Sequence, residues 1–181
     1  VPECIGIDTS KEILTNDYIL ITYIPGINLE ACFKTANNSL KNKLSYQLGE
    51  IVKKIHDISP LTLGKHEDLL GTTENWSNTY IKEFLSYFSF AKENNCCTPD
   101  VFNAIEGIFT DYKKIKNNID NAIRLVHGDF SVSNLQVRDE SIVGIFDFEW
   151  SHWGDPLYDL QKLPINFQLG MSFSQQNFIK G

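Results

Sequence analysis

Asp129 stands five residues before Asn134 and directly after His127-Gly128, and Asp147 follows Asn134 by thirteen residues. An Asp that meets a hydroxyl, an amide oxygen that faces a metal ion and a second acid within reach of that ion are the parts of a phosphoryl-transfer centre. The short spacing has a mechanical reason. The loop must turn back so that a base faces the acceptor while an amide oxygen faces the donor's metal. Asp147 comes after the apolar stretch Val143-Gly144-Ile145-Phe146, so it is expected at the end of a buried strand.

The surrounding charge supports a cation. Between Arg138 and Lys162 there is no Lys or Arg, while Asp139, Glu140, Asp147, Glu149, Asp155 and Asp159 all fall there. A carboxylate left unpaired beside a core costs several kcal/mol by order of magnitude unless something compensates it. With no base nearby in sequence, a divalent ion is the natural compensator. Magnesium suits hard oxygen ligands, keeps waters and takes one or two carboxylates plus substrate phosphates. Asp139 and Glu140 lie in an expected turn and read as solvated. A metal-dependent phosphoesterase would need several histidine ligands, and this region offers only His127 and His152.

Elements that could position these residues are legible upstream. Tyr18-Ile-Leu-Ile-Thr-Tyr-Ile24 is β-branched and aromatic and stops at Pro25-Gly26, as a buried strand ending in a turn. Residues 5–14 are expected to hold its partner. From Asn38, Leu40, Leu44, Leu48, Ile51, Val52 and Ile55 form one helical stripe, with Asn38 or Ser39 as cap and Ser59-Pro60 past the end. Residues 60–75 carry Pro60, Gly64 and Gly71 and read as a loop. Tyr80, Ile81, Phe84, Leu85 and Phe88 predict a second helix. A third opens at Thr98-Pro99-Asp100 with the stripe Val101, Ile105, Ile108, Phe109, Tyr112 and Ile115. Short strands are expected at 125–126, 135–137 and 142–148.

The 181 residues include twelve Phe, seven Tyr and three Trp, ample for a core, and the net charge is −7. That charge argues against a nucleic-acid partner, which would require a basic face. No run of about 18 apolar residues exists to span a membrane. The start, Val1-Pro2-Glu3-Cys4, lacks the basic and apolar regions of a signal peptide. Cys4, Cys32, Cys96 and Cys97 show no CxxC spacing, so reduced thiols in a cytoplasmic protein are expected.

Leu125-Val126-His127-Gly128-Asp129-Phe130-Ser131-Val132-Ser133-Asn134 resembles the catalytic loop of the aminoglycoside phosphotransferase and choline kinase family. Ile145-Phe146-Asp147-Phe148-Glu149-Trp150 and Gly154-Asp155-Pro156-Leu157-Tyr158-Asp159-Leu160 resemble its metal-binding and following segments. Residues 48–56 resemble its long helix, and residues 18–26 its last small-lobe strand and hinge. The resemblance implies an α+β, protein-kinase-like fold: residues 1–27 from the small-lobe sheet and hinge, residues 28–181 from the helical lobe. It implies ATP and Mg²⁺ as cofactors, Asp129 as catalytic base, and Asn134 and Asp147 as metal ligands. The backbone at Thr22, Tyr23 and Ile24 would meet adenine, and Glu149 would face the metal site or the acceptor. His127 would hold the loop rather than act as base, and Asp155 and Asp159 would brace it.

Three differences from protein kinases favour a small hydroxylated acceptor. Gly128 replaces an Arg, Ser131 replaces a Lys, and only seven residues separate Asp147 from Asp155. An acidic rim favours a cationic acceptor slightly, with an aminoglycoside ahead of choline, a sugar or a macrolide. The family's Gly-rich loop and phosphate-binding Lys should precede the hinge, yet Lys11 is the one Lys ahead of Tyr18. These 181 residues alone are therefore expected to turn over little or no ATP, and a non-catalytic binding module is the competing reading.

Overall fold

The structure is a computed structural model that describes residues 1–59, 76–120, 123–162 and 174–181. The expected loop at 60–75 lies outside them. The chain divides into two compact units. One comprises Val1–Lys54, His127–Trp150 and Asp159–Gly181, and the other Ile55–Val126 and Ser151–Tyr158.

In the first unit, strands β1 (Cys4–Asp8) and β2 (Tyr18–Ile21) pair antiparallel, from Cys4 opposite Ile21 to Asp8 opposite Tyr18. The strand expected over 18–24 ends at Ile21 and is not buried: Ile19 is 62% and Leu20 55% exposed. A two-stranded ribbon has two faces, and among the described residues no second layer covers them. Next comes β3 (Ile27–Asn28), which joins β5 (Leu135–Arg138) and β6 (Ser141–Ile145) in an antiparallel sheet of order β3-β5-β6.

Helix α1 (Leu29–Thr35) follows β3 directly and was not read from the sequence. At about two turns it is too short for a periodic signal, but it buries Leu29, Cys32 and Phe33. Helix α2 (Asn38–His56) matches the long amphipathic stripe, with Leu44 and Leu48 fully buried. Its cap is Asn37, one residue earlier than expected, whose Oδ1 accepts the Leu40 N–H at 2.9 Å. Helix α5 (Gln175–Lys180) lies against α2: Ser174 N–H donates to Ser45 Oγ at 3.0 Å, and a Cβ on Gly49 would strike the Phe178 carbonyl.

In the second unit, α3 (Trp76–Glu93) and α4 (Pro99–Asp120) pack through aromatic rings. Phe84 stacks on Phe109 at 4.4 Å, Phe88 meets Phe102 edge-on at 5.6 Å, and Tyr80 meets Tyr112 at 5.6 Å. Beside them β4 (Arg124–Val126) pairs antiparallel with β7 (His152–Gly154), where Trp153 and Ile123 centre a cluster with Ile58, Tyr80, Leu125 and Tyr158. The α4 face differs from the expected stripe. Phe102, Ile105, Phe109 and Tyr112 turn inward, while Val101, Ile108 and Ile115 are exposed.

Candidate active site

The β5–β6 hairpin explains how residues thirteen apart in sequence come together. Asn134 precedes β5 and Phe146 follows β6, and the first and last residues of the strands, Leu135 and Ile145, face each other. One more backbone bond extends the ladder, from Phe146 N–H to the Asn134 carbonyl at 3.0 Å. Asp147 is then the next residue out. It adopts φ +70°, a left-handed conformation that Asp tolerates better than most residues, and it is exposed. The sequence reading placed Asp147 at a buried strand end; the structure corrects this. The ladder ends with the Phe146 N–H, the backbone reverses its φ, and the carboxylate emerges into solvent. No hydrogen bond or ion pair holds it among the described residues, so it is open to a ligand.

Asn134 is tied to Asp129 on the other side. Residues 132–134 form a 3-10 turn capped by Ser131, pinned by the buried Val132 and closed by Asn134 N–H to the Ser131 carbonyl at 3.0 Å. The Asn134 Nδ2 donates to the Asp129 carbonyl at 3.0 Å and approaches Asp129 Oδ2 at 3.4 Å. That sets Asn134 Oδ1 on the far side, with only a 3.5 Å contact from Ser133 Oγ. Asp129, half-buried, is thereby aligned with Asn134, and Asn134 with Asp147.

His127 locks this arrangement from below. It is fully buried; its Nε2 lies 2.9 Å from the Phe146 carbonyl, and its Nδ1 accepts the Asp129 N–H at 3.3 Å. Those partners require the neutral tautomer with the proton on Nε2. Burial pushes its pKa below the usual value, more than the Phe146 carbonyl and the Asp159 and Asp147 carboxylates raise it. One imidazole thus couples the residue after Gly128 to the residue before Asp147. Asp159, 2% exposed, completes the brace by accepting the His127 and Gly128 N–H groups, each at 2.9 Å. Between them Gly128 has φ +84°, and a Cβ there would strike the Trp150 carbonyl.

The other expected site residues have more varied surroundings. Thr22 N–H donates to the Glu3 carbonyl at 2.9 Å, and Thr22 Oγ1 accepts the Glu3 N–H at 2.8 Å. Its donor is therefore engaged in the β1–β2 ribbon, and Tyr23 beside it is exposed. Ile24 Cγ2 lies over Gly144, where an added Cβ would meet it at 3.2 Å and the Phe146 ring at 3.0 Å. Glu149 sits in the 3-10 turn Phe148–Trp150 and is exposed, with no hydrogen bond or ion pair among the described residues. Asn28 is a site residue that the sequence reading missed. Its Nδ2 donates to the Ser133 carbonyl while its Oδ1 caps α1 at Glu30 N–H. The Asn-Leu-Glu run at a helix start was the available signal.

Among the described residues no group of three or more His, Cys, Asp or Glu is arranged to hold a metal ion. Asn134 and Asp147 fit a metal in a narrower sense. They are one amide oxygen and one unneutralised carboxylate, oxygen donors on adjoining chain segments, and suit an ion that takes its other ligands from phosphate and water.

A family model described as the phosphotransferase enzyme family matches residues 1–176. The chain belongs to that family. Solved structures agree on the fold. It matches a GDP complex of a mutant aminoglycoside 2′-phosphotransferase-IIIa at TM-score 0.72 and 20% identity, covering 99% of this chain and 59% of the other. It matches ADP-bound aminoglycoside phosphotransferase APH(2″)-Ib at TM-score 0.60 and 20% identity, covering 90% and 52%. The gentamicin complex of APH(2″)-IIa gives TM-score 0.54 and 23% identity over 87% and 50%. The chain thus spans between half and three-fifths of the length of these structures. At such identities the likeness is one of fold, the α+β protein-kinase-like architecture expected from the motifs. No curated protein matches the chain by sequence.

Proposed function

We propose that this phosphotransferase moves the γ-phosphoryl group of ATP to a hydroxyl of a small molecule, most readily an aminoglycoside-type acceptor. The observation that carries the proposal is the linked array of Asp129, Asn134 and Asp147, held by one hairpin and one buried imidazole. Asp129 orients the acceptor hydroxyl and takes its proton as the oxygen–phosphorus bond forms and the bond to ADP breaks. Asn134 and Asp147 would hold Mg²⁺, which would supply charge neutralisation for the donor phosphates. Most of the catalysis is positioning and charge complementarity, so the rigid bracing by His127, Gly128 and Asp159 matters as much as the reacting groups.

The backbone of Tyr23 and Ile24, with the Thr22 carbonyl, meets the adenine edge. Residues 1–27 form the small-lobe part and hinge, and residues 28–181 the helical lobe. On the acceptor side Glu149 offers an exposed carboxylate in a stretch without bases, which suits a cationic acceptor. The fold neighbours support the same class, since their names record gentamicin and hygromycin B as bound molecules. Use of ATP places the reaction in the cytoplasm, in keeping with four free cysteines.

The test is an assay of the protein as encoded, with ATP and GTP in parallel, against aminoglycosides, macrolides, choline and sugars. One acceptor is expected to be phosphorylated in a Mg²⁺-dependent way. Asp129→Asn is expected to lower kcat by about 10²- to 10⁴-fold, the usual contribution of a positioned base. Unchanged turnover in that variant would defeat the mechanism.

A further inference from the structure

We infer that Asn28 is a positioning residue for Asn134, an inference that rests on the phosphotransferase reading for what Asn134 holds. Pairing of β3 with β5 sets Asn28 opposite Gln136, beside the end of the 3-10 turn. Its side chain has two partners on two elements. Oδ1 accepts the Glu30 N–H at 2.9 Å, at the start of α1, and Nδ2 donates to the Ser133 carbonyl. The amide orientation is unambiguous, because the flipped form would set donor against donor at Glu30 and acceptor against acceptor at Ser133.

The Ser133 carbonyl belongs to the peptide whose nitrogen is that of Asn134. The N–H of that peptide donates to the Ser131 carbonyl at 3.0 Å. The plane of the peptide is therefore pinned from both sides, by Asn28 on the oxygen and by Ser131 on the nitrogen. The Asn134 side chain departs from that pinned peptide and bonds Asp129 at 3.0 Å. Where Asn134 Oδ1 points, relative to Asp129 and Asp147, is set through Asn28.

Capping α1 does not explain the choice of asparagine. Asp and Ser cap about as well. The amide accepts from Glu30 and donates to Ser133 through two separate atoms, which neither a carboxylate nor a single hydroxyl oxygen offers, so the residue type matches the double task. Helix α1 is buried through Leu29, Cys32 and Phe33, which makes it a firm anchor for the loop.

The discriminating variants are Asn28→Asp, which keeps a cap oxygen and loses the donor, and Asn28→Ser, which keeps a cap oxygen but removes the Nδ2 atom that faces Ser133. In both, the Glu30 amide is expected to stay protected from exchange. The Asn134 side-chain NH₂ signals are expected to move to the position of a free amide, and Mn²⁺·ADP affinity, followed by electron paramagnetic resonance, to fall about 10-fold or more. The inference is overturned if the Asn134 signals stay in place in both variants, or if they move only along with loss of Glu30 protection. The two readings fail separately. A wild-type protein that binds no Mn²⁺·ADP sinks the phosphotransferase reading, while the Asn134 signals still decide whether Asn28 governs the loop.

Discussion

Burial lowers the pKa of the His127 imidazole, against the opposing pull of the Phe146 carbonyl and the nearby carboxylates. The unfolded chain, at the ordinary value of 6.5, therefore takes up a proton first as pH falls. The contribution to stability is fully present above 6.5 and declines below it toward the lowered folded-state pKa. Urea unfolding in metal-free buffer should show stability falling from pH 7.5 to pH 5.5, with a shallower fall in His127→Gln. A steeper or unchanged slope in that variant would count against the neutral tautomer. Gly128→Ala tests the neighbouring residue. At φ +84°, with the Trp150 carbonyl in the way, the substitution should destabilise by on the order of 2 kcal/mol. An unchanged unfolding midpoint would mean that the turn is looser than described. Residue types and spacing pointed to Asp129, Asn134 and Asp147, and the structure places the three on adjoining, hydrogen-bonded segments. They did not reveal Asn28, whose partner at Ser133 is 105 residues away and is brought near only by β3–β5 pairing.

The element that sets the site's register, the β5–β6 hairpin, turns through Asp139 and Glu140, both in the left-handed region at φ 51° and 57°. A two-residue loop of this kind favours Asn or Asp followed by Gly, and a Glu in the second position is strained. Glu140 also makes an exposed ion pair with Lys43 at 3.5 Å, of a kind that contributes about 0–1 kcal/mol. Relief of strain outweighs that pair, so Glu140→Gly should stabilise the protein by up to about 1 kcal/mol without altering Mg²⁺-dependent behaviour. A lower urea midpoint in that variant would show that the ion pair is the stronger term. Elsewhere the helices were legible because long amphipathic stripes leave little choice. The rotated face of α4 was not, since the sequence offers both a Val101, Ile108, Ile115 row and a Phe102, Phe109, Tyr112 row. Facing rings on α3 select the second. The strand at 18–24 misled for a related reason. Its apolar residues predict burial, and only the structure shows that no second layer covers them among the described residues.

For the molecule as a whole, family and fold were recoverable from one loop and one strand end, while the acceptor was not, because exposed acids such as Glu149 recognise charge rather than a particular skeleton. The same comparison of parts bears on ATP. Donor phosphates need cationic partners besides the metal, and ahead of the hinge the chain carries a single Lys or Arg, Lys11. Lys11 lies between bends at φ +62°, 60% exposed, with Asp17 at 3.9 Å. It is not on β1 or β2, so nothing fixes it toward Asn134 and Asp147. Among the described residues ahead of Thr22, no Lys or Arg is held on a strand. These 181 residues, assayed alone with MgATP and an acceptor, should show little or no turnover. Lys11→Ala should leave what nucleotide binding remains unaltered, because an exposed ammonium beside Asp17 contributes little there. Robust turnover by the 181 residues, or a marked loss on removing Lys11, would show instead that this lysine supplies the charge and that the array works with the residues described.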